Sequence, residues 1–294
     1  MFERIIVGVD AEGAGDRAVV AAARLQQRFS GELKFVHSIP LFWRSWSTPA
    51  MAAWEAVKQK SLASCKAAFE QRITATMRAA DLPVHETPSV EVVEGAAAEA
   101  LLQRADRPTD LIALGGHRQM GFLHFGSTAR SVLAHAKCPV WIQPCDARDF
   151  QRVTVCVDLS THTKPVLEAA ERVATALRLP MRLVHAFETP TLASGIEPYY
   201  AVEHIRREAR IAFDAFVAAT QKETSAQITA EFCEGEASAA ILDRIEGGDL
   251  VVLGTHGHTG LMRYVLGSTA YRVVKRAKQP TLVVPMPQRT FKKD

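Results

Sequence analysis

Asp249-Leu250-Val251-Val252-Leu253-Gly254 runs directly into Thr255-His256-Gly257-His258-Thr259-Gly260, and the stretch closes on Gly267-Ser268-Thr269. Four consecutive apolar residues, Leu250 to Leu253, before a glycine have the length of a fully buried strand. The glycines then let backbone N–H groups approach an anion closely. A helix starting at Gly267 presents unpaired donors at the positive end of its dipole. The spacing Gly254-x2-Gly257-x9-Gly267-Ser268-Thr269 therefore describes a strand, a phosphate-sized loop and a helix start.

The same order of signals occurs earlier in the chain. Ile5-Ile6-Val7-Gly8-Val9-Asp10 returns as Val153-Thr154-Val155-Cys156-Val157-Asp158, Phe35-Val36-His37 as Leu183-Val184-His185, and Glu94-Gly95 as Glu234-Gly235. Asp110 to Gly115 returns as Asp249 to Gly254, and Gly126-Ser127-Thr128-Ala129 as Gly267-Ser268-Thr269-Ala270. The offset stays between 139 and 148 residues. Two copies of one fold thus fill 294 residues, in keeping with the usual size of a domain.

With 48% hydrophobic and 23% charged residues, and no apolar run approaching eighteen residues, the composition is that of a globular protein with two cores and no membrane span. The chain opens on a strand without the basic and apolar regions of a signal peptide, so a cytoplasmic location is expected. A net charge of +3 gives no basis for nucleic-acid binding. Cys65, Cys138, Cys145, Cys156 and Cys233 are odd in number and lack a Cys-x-x-Cys pair, so buried fillers in a reducing compartment are expected rather than disulfides.

Apolar runs of strand length alternate with segments of helical period, which predicts βαβ units on a parallel sheet. In the first copy strands are expected at 4–10, 33–38, 88–94, 110–115 and 139–143, with helices at 15–29, 51–80, 96–105 and 126–137. In the second, strands are expected at 152–158, 181–187, 227–233, 249–254 and 280–285, with helices at 163–178, 199–220, 236–246 and 267–278. The fold class is α/β, two tandem doubly wound five-stranded parallel sheets. Ligands of such sheets sit at the carboxyl ends of the strands. That rule gathers Asp158, His185-Ala186 and Gly254 on one edge with the glycine loop. Asp158 has two readings, an acceptor for ribose or base and a capping acid working with Ser160.

The spaced glycines and the terminal Ser-Thr resemble the nucleotide-binding signature of the universal stress protein family, and the resemblance covers the whole chain as two tandem copies. It implies the universal stress protein or adenine nucleotide alpha-hydrolase-like fold, with domains at 1–146 and 150–287 and a flexible tail at 288–294. It also implies an ATP pocket lined by Asp158, Ala186, Leu253, Gly254, His256, Gly257, Gly267, Ser268 and Thr269. Magnesium is expected beside the ATP, with His258 and Arg263 the nearest cations of the loop. Family members pair through the last strand of the unit, so strands 139–143 and 280–285 are expected to form an internal pseudo-dimer, and a homodimer is a further expectation.

The first copy departs from this signature. Arg118 stands where the second copy has Gly257, and the loop before Gly126-Ser127-Thr128 is two residues shorter. Weak or no ATP binding is expected there, although Asp10, Gly115, Gly126, Ser127 and Thr128 persist. The function expected is that of a stress-response protein, a nucleotide-dependent switch acting on an unidentified protein partner. A slow or self-phosphorylating ATPase is the alternative, for which His256, His258 and Asp158 are the only candidate groups; a nucleotide-independent scaffold or carrier of apolar ligands is another. His256-x-His258, with His117 and His124, lacks a third ligand at metal-binding spacing. Trp43, Trp46 and Trp54 pack a loop or cover an apolar cleft, and the segment Pro190 to Pro198 is a candidate flap.

Overall fold

The structure, a computed structural model, describes residues 2–39, 48–119, 122–124, 126–144, 146, 149–189, 199–255 and 266–286. The expectations for Trp43, Trp46, Cys145, the Pro190 to Pro198 segment and the 288–294 tail lie outside these residues. The chain divides into two compact units, Met1–His117 with His124–Asp146, and Arg118–Leu123 with Ala147–Asp294.

The elements up to residue 146 are β1 (Arg4–Gly8), α1 (Asp16–Phe29), β2 (Glu32–Ile39), α2 (Thr48–Ala79), β3 (Val90–Glu94), α3 (Ala97–Arg104), β4 (Asp110–Gly115), β5 (His117–Gln119), β6 (Phe122–His124), α4 (Ser127–His135) and β7 (Val140–Gln143). Five of the strands form a parallel sheet in the order β7-β4-β1-β2-β3. The second copy holds β8 (Arg152–Cys156), α5 (Thr163–Leu177), β9 (Met181–Phe187), α6 (Tyr199–Glu223), β10 (Ile228–Glu234), α7 (Ala237–Leu242), β11 (Asp249–Gly254), α8 (Ser268–Arg276) and β12 (Thr281–Val284). Its sheet repeats the order as β12-β11-β8-β9-β10, again parallel throughout.

The physical cause of this arrangement is visible in the strands. A sheet covered by helices on both faces selects continuous apolar runs, and Ile5, Ile6, Val7, Leu111, Ile112, Leu250, Val251 and Val252 are all fully buried. The covering helices turn small residues inward, Ala18, Ala22 and Ala23 on α1 and Ala169, Ala170 and Ala174 on α5. Cys138 lies in the same core, and burial pushes its thiol up to about 12, as it does for Cys156, so both are protonated fillers.

Two expectations change. Strands 4–10 and 152–158 stop at Gly8 and Cys156. One further ladder bond follows in each, Val9 N–H to Val36 O and Val157 N–H to Val184 O, before the acid bends away to bond its own loop. The segment after β4, read from sequence as an uninterrupted loop, contains the paired short strands β5 and β6. Three-residue strands joined by two residues are too short to leave an alternating pattern.

At the amino-terminal edge of each sheet a fully buried aspartate starts the fourth strand of its copy. Asp110 accepts from Arg4 Nε at 2.8 Å and Nη2 at 2.6 Å, and from the Arg107 N–H at 2.9 Å. Asp249 accepts from Arg152 Nε at 2.6 Å, Arg182 Nη2 at 2.8 Å and the Glu246 N–H at 2.9 Å. Removing a buried partner strands the remaining charges in a dry environment. Asp249→Ala is therefore expected to cost about 3–5 kcal/mol in urea unfolding, whereas Asp214→Ala, which breaks the exposed pair with Arg210, changes it by less than about 0.5 kcal/mol.

Helix α7 is capped by Glu236, whose Oε2 accepts from the Ala239 N–H at 2.9 Å, while Ala96 at the same place before α3 offers no side chain. The Ser238 hydroxyl and the Ala239 N–H, with Arg272, outweigh partial burial and hold the Glu236 carboxyl at about 2, below its ordinary 4.5. A depressed carboxylate contributes stability that is complete above its unfolded value and is lost as pH falls through the folded one. Between about pH 5 and about pH 2 the urea midpoint is thus expected to fall more steeply for the wild type than for Glu236→Gln.

Candidate functional site

In the second copy β8 lies between β9 and β11, so Asp158, Ala186 and Gly254 stand at the carboxyl ends of three neighbouring strands. This is the point where successive connections leave toward opposite faces, the crevice that doubly wound sheets offer to ligands. Leu253, 4% exposed, packs beneath the edge. His185 fixes the register of β9 there, with Nδ1 2.9 Å from Val157 O and its ring stacked 5.6 Å from Phe213.

The loop after β11 is pinned at both described ends. Thr255 N–H donates to Val284 O at 2.9 Å, and Gly267 N–H donates to Thr255 O at 2.8 Å. The second bond draws the start of α8 onto the end of β11. The first intrahelical bond of α8 is Tyr271 N–H to Gly267 O, and Gly267 supplies no side-chain cap. The amides of Ser268, Thr269 and Ala270 therefore face outward without helical acceptors, at the positive end of the helix dipole. His256 and Gly257, with His258 and Arg263, lie outside the described residues.

Asp158 is the unusual member of this edge. Its Oδ1 accepts from Thr163 Oγ1 at 2.7 Å, Ser160 Oγ at 2.8 Å and the Ser160 N–H at 3.1 Å. Its Oδ2 is buried and accepts no hydrogen bond among the described residues. Burial opposes the charge, yet the hydroxyls of Thr163 and Ser160 and the Ser160 N–H prevail and hold the carboxyl below the usual aspartate range. A charged oxygen out of contact with water is costly without a donor, and none of the described residues supplies one. The structure shows the capping reading of Asp158, with one oxygen bound to Ser160 and Thr163 at the helix start.

The first copy resolves the same chemistry differently. Asp10 Oδ1 accepts from the N–H groups of Glu12 at 2.8 Å and Ala14 at 3.1 Å, and Oδ2 from the Gly15 N–H at 2.7 Å. Both oxygens are engaged. The loop from Asp10 to α1 is one residue longer than that from Asp158 to α5, and Gly13 at φ +86° lets it curl back over the carboxylate. Arg72 clamps it from outside, donating to Asp10 O at 2.6 Å and Ala11 O at 3.3 Å and pairing with Asp16 at 3.0 Å. The loop rests directly on the end of β4, where a Cβ on Gly115 would sit 1.9 Å from Ala14 O. Arg118 has its backbone in β5, and its side chain lies outside the described residues.

The extra loop residue and Arg72 escaped the sequence analysis, which compared only the glycine loops. Counting from each strand-end acid to its helix exposes the first, and the position three residues beyond the aromatic partner of each β2-type histidine exposes the second. Phe69 there leads to Arg72, and Phe213 leads to Phe216. Among the described residues no group of three or more His, Cys, Asp or Glu is arranged to hold a metal ion, and no helix is long and apolar enough to cross a membrane.

The fold and the strand-end crevice define a doubly wound α/β protein with its ligand edge duplicated. The profile of the universal stress protein family matches residues 1–144 and 149–285, so the chain belongs to that family as a tandem two-domain member. A universal stress protein of Mycolicibacterium smegmatis is 24% identical over 286 residues, covering 95% of this chain and 96% of the relative. One from Methanocaldococcus jannaschii is 43% identical over 70 residues, 23% of this chain and 41% of that protein. The crystal structure of a universal stress protein from Archaeoglobus fulgidus superposes with a TM-score of 0.65 at 18% identity, covering 96% and 98% of the two chains, which establishes the shared fold.

Proposed function

We propose that the second copy binds ATP with magnesium, and that the protein works as a nucleotide-dependent switch whose first copy does not bind ATP. The observation that carries this reading is the bare, buried Oδ2 of Asp158 at the crevice edge. A ribose hydroxyl or an adenine amine is a neutral donor of the kind this oxygen lacks. The outward amides of Ser268 and Thr269 and their hydroxyls suit phosphate oxygens. Gly254 ends β11 without a side chain, which leaves its backbone accessible, and Ala186 offers a small surface at the end of β9 for the base. His256 and Gly257 join the pocket by the family resemblance.

The same accounting disfavours ATP in the first copy. Both oxygens of Asp10 already accept loop amides, so a ligand there gains less from this carboxylate than from one with an unpartnered oxygen.

Titration calorimetry with Mg·ATP tests the assignment. Asp158→Asn, which turns one acceptor into a donor, is expected to weaken binding about ten- to a hundredfold, the usual worth of a hydrogen bond to a charged group. Asp10→Asn is expected to leave the affinity unchanged, and Gly257→Arg to abolish binding. Wild-type affinity in Asp158→Asn overturns the proposal.

A further inference from the structure

Among the described residues, those other than glycine with a left-handed backbone are Ser30, Asp81, Leu159 and Arg178. Ser30 and Arg178 cap α1 and α5, and Asp81 follows the end of α2, all places where helices ordinarily turn left-handed. Leu159 has no such setting. It stands at φ +59° between Asp158 and Ser160, in the loop from β8 to α5 at the ligand edge of the second copy. A leucine resists this conformation because its Cβ is crowded against the following carbonyl, and such strain persists only where surrounding contacts impose it. The contacts here are local. Ser160 N–H, Ser160 Oγ and Thr163 Oγ1 all donate to Asp158 Oδ1, and the loop is closed by His162 N–H to Ser160 Oγ at 3.1 Å and Thr163 N–H to Ser160 O at 3.0 Å. The first copy makes its left-handed turn elsewhere. Between Asp10 and Asp16 it falls on Gly13, the third residue after the acid, and the amides of Glu12, Ala14 and Gly15 reach both carboxylate oxygens. In the second copy the turn falls on the first residue after the acid, and the three donors that reach the carboxylate go to one oxygen.

We propose that Leu159 is a positioning residue for Asp158: its left-handed backbone gathers the donors of the loop on Oδ1 and keeps the loop off Oδ2, which stays available to a donor on the ligand. This rests on the reading that the second copy binds ATP through Asp158. The role belongs to the main chain of Leu159, so substitutions rank by their tolerance of the left-handed region and not by the size of the side chain. In a loop relaxed at this residue Ser160 and Thr163 leave Oδ1, and the half-buried carboxylate loses the hydrogen bonds that stabilise its charge.

Leu159→Gly and Leu159→Val in the full-length protein separate backbone from side chain. Glycine removes more of the side chain yet enters the left-handed region freely, whereas valine keeps most of it and is branched at Cβ. Mg·ATP affinity by titration calorimetry is expected to fall about tenfold or more in Leu159→Val and to stay within about twofold of the wild type in Leu159→Gly. The Asp158 carboxyl, followed by carbon-13 NMR without nucleotide, is expected to titrate below the usual aspartate range in the wild type and in Leu159→Gly, and to move up in Leu159→Val as its hydrogen bonds are lost. Leu159→Thr, branched at the same carbon, gives the same comparison should Leu159→Val fail to fold. The proposal is overturned by an unchanged Asp158 titration or wild-type ATP affinity in Leu159→Val, or by effects in Leu159→Gly as large as those in Leu159→Val. A wild type that binds no ATP overturns the ATP reading alone, and the titration without nucleotide still decides the part played by Leu159.

Discussion

The hydrogen-bond account of one carboxylate, repeated twice, governs what each half of this protein can do. Each copy carries an aspartate two residues beyond its first strand, half-buried at the strand-end crevice. A longer glycine-bearing loop satisfies Asp10 with main-chain amides, and a shorter loop satisfies only half of Asp158 with two hydroxyls and one amide. An unsatisfied buried acceptor is a standing cost in the free protein, and a ligand that relieves it gains that energy as affinity and selectivity. A satisfied one is chemically mute. The two copies keep the residue and differ in the loop beside it and in the partners that loop supplies.

The opposite edge of each sheet shows where the fold tolerates buried charge without any ligand. Asp110 and Asp249 are buried more deeply than the strand-end acids, and arginines and a backbone amide pair with them. They tie the start of β4 and β11 to the neighbouring strands, and they hold the sheets in the register that brings Asp10 and Asp158 to the ligand edge.

Much of this was legible in the sequence because the physics there is periodic. Buried parallel strands such as Ile5 to Val7 and Leu250 to Val252 leave unbroken apolar runs, helices such as α1 and α5 leave stripes of alanine and valine, and the repeat confirms each reading against its twin. The strands 110–115, 181–187 and 249–254 end where expected, each at a glycine or a turn. Pattern fails where geometry is set by single contacts. The paired strands β5 and β6 are too short for a period, and the loop that bonds the Asp10 carboxylate is braced by Arg72, sixty-two positions away in the chain. The persistence of Asp10 and Asp158 in both copies read as a shared chemistry, and only their partners distinguish them.

Native mass spectrometry of the intact protein in Mg·ATP measures the central claim directly, as the number of nucleotides each chain retains. The account predicts one per chain, lost on replacing Asp158 and retained on replacing Asp10. Two nucleotides per chain, or one that survives the loss of Asp158 and departs with Asp10, would contradict it.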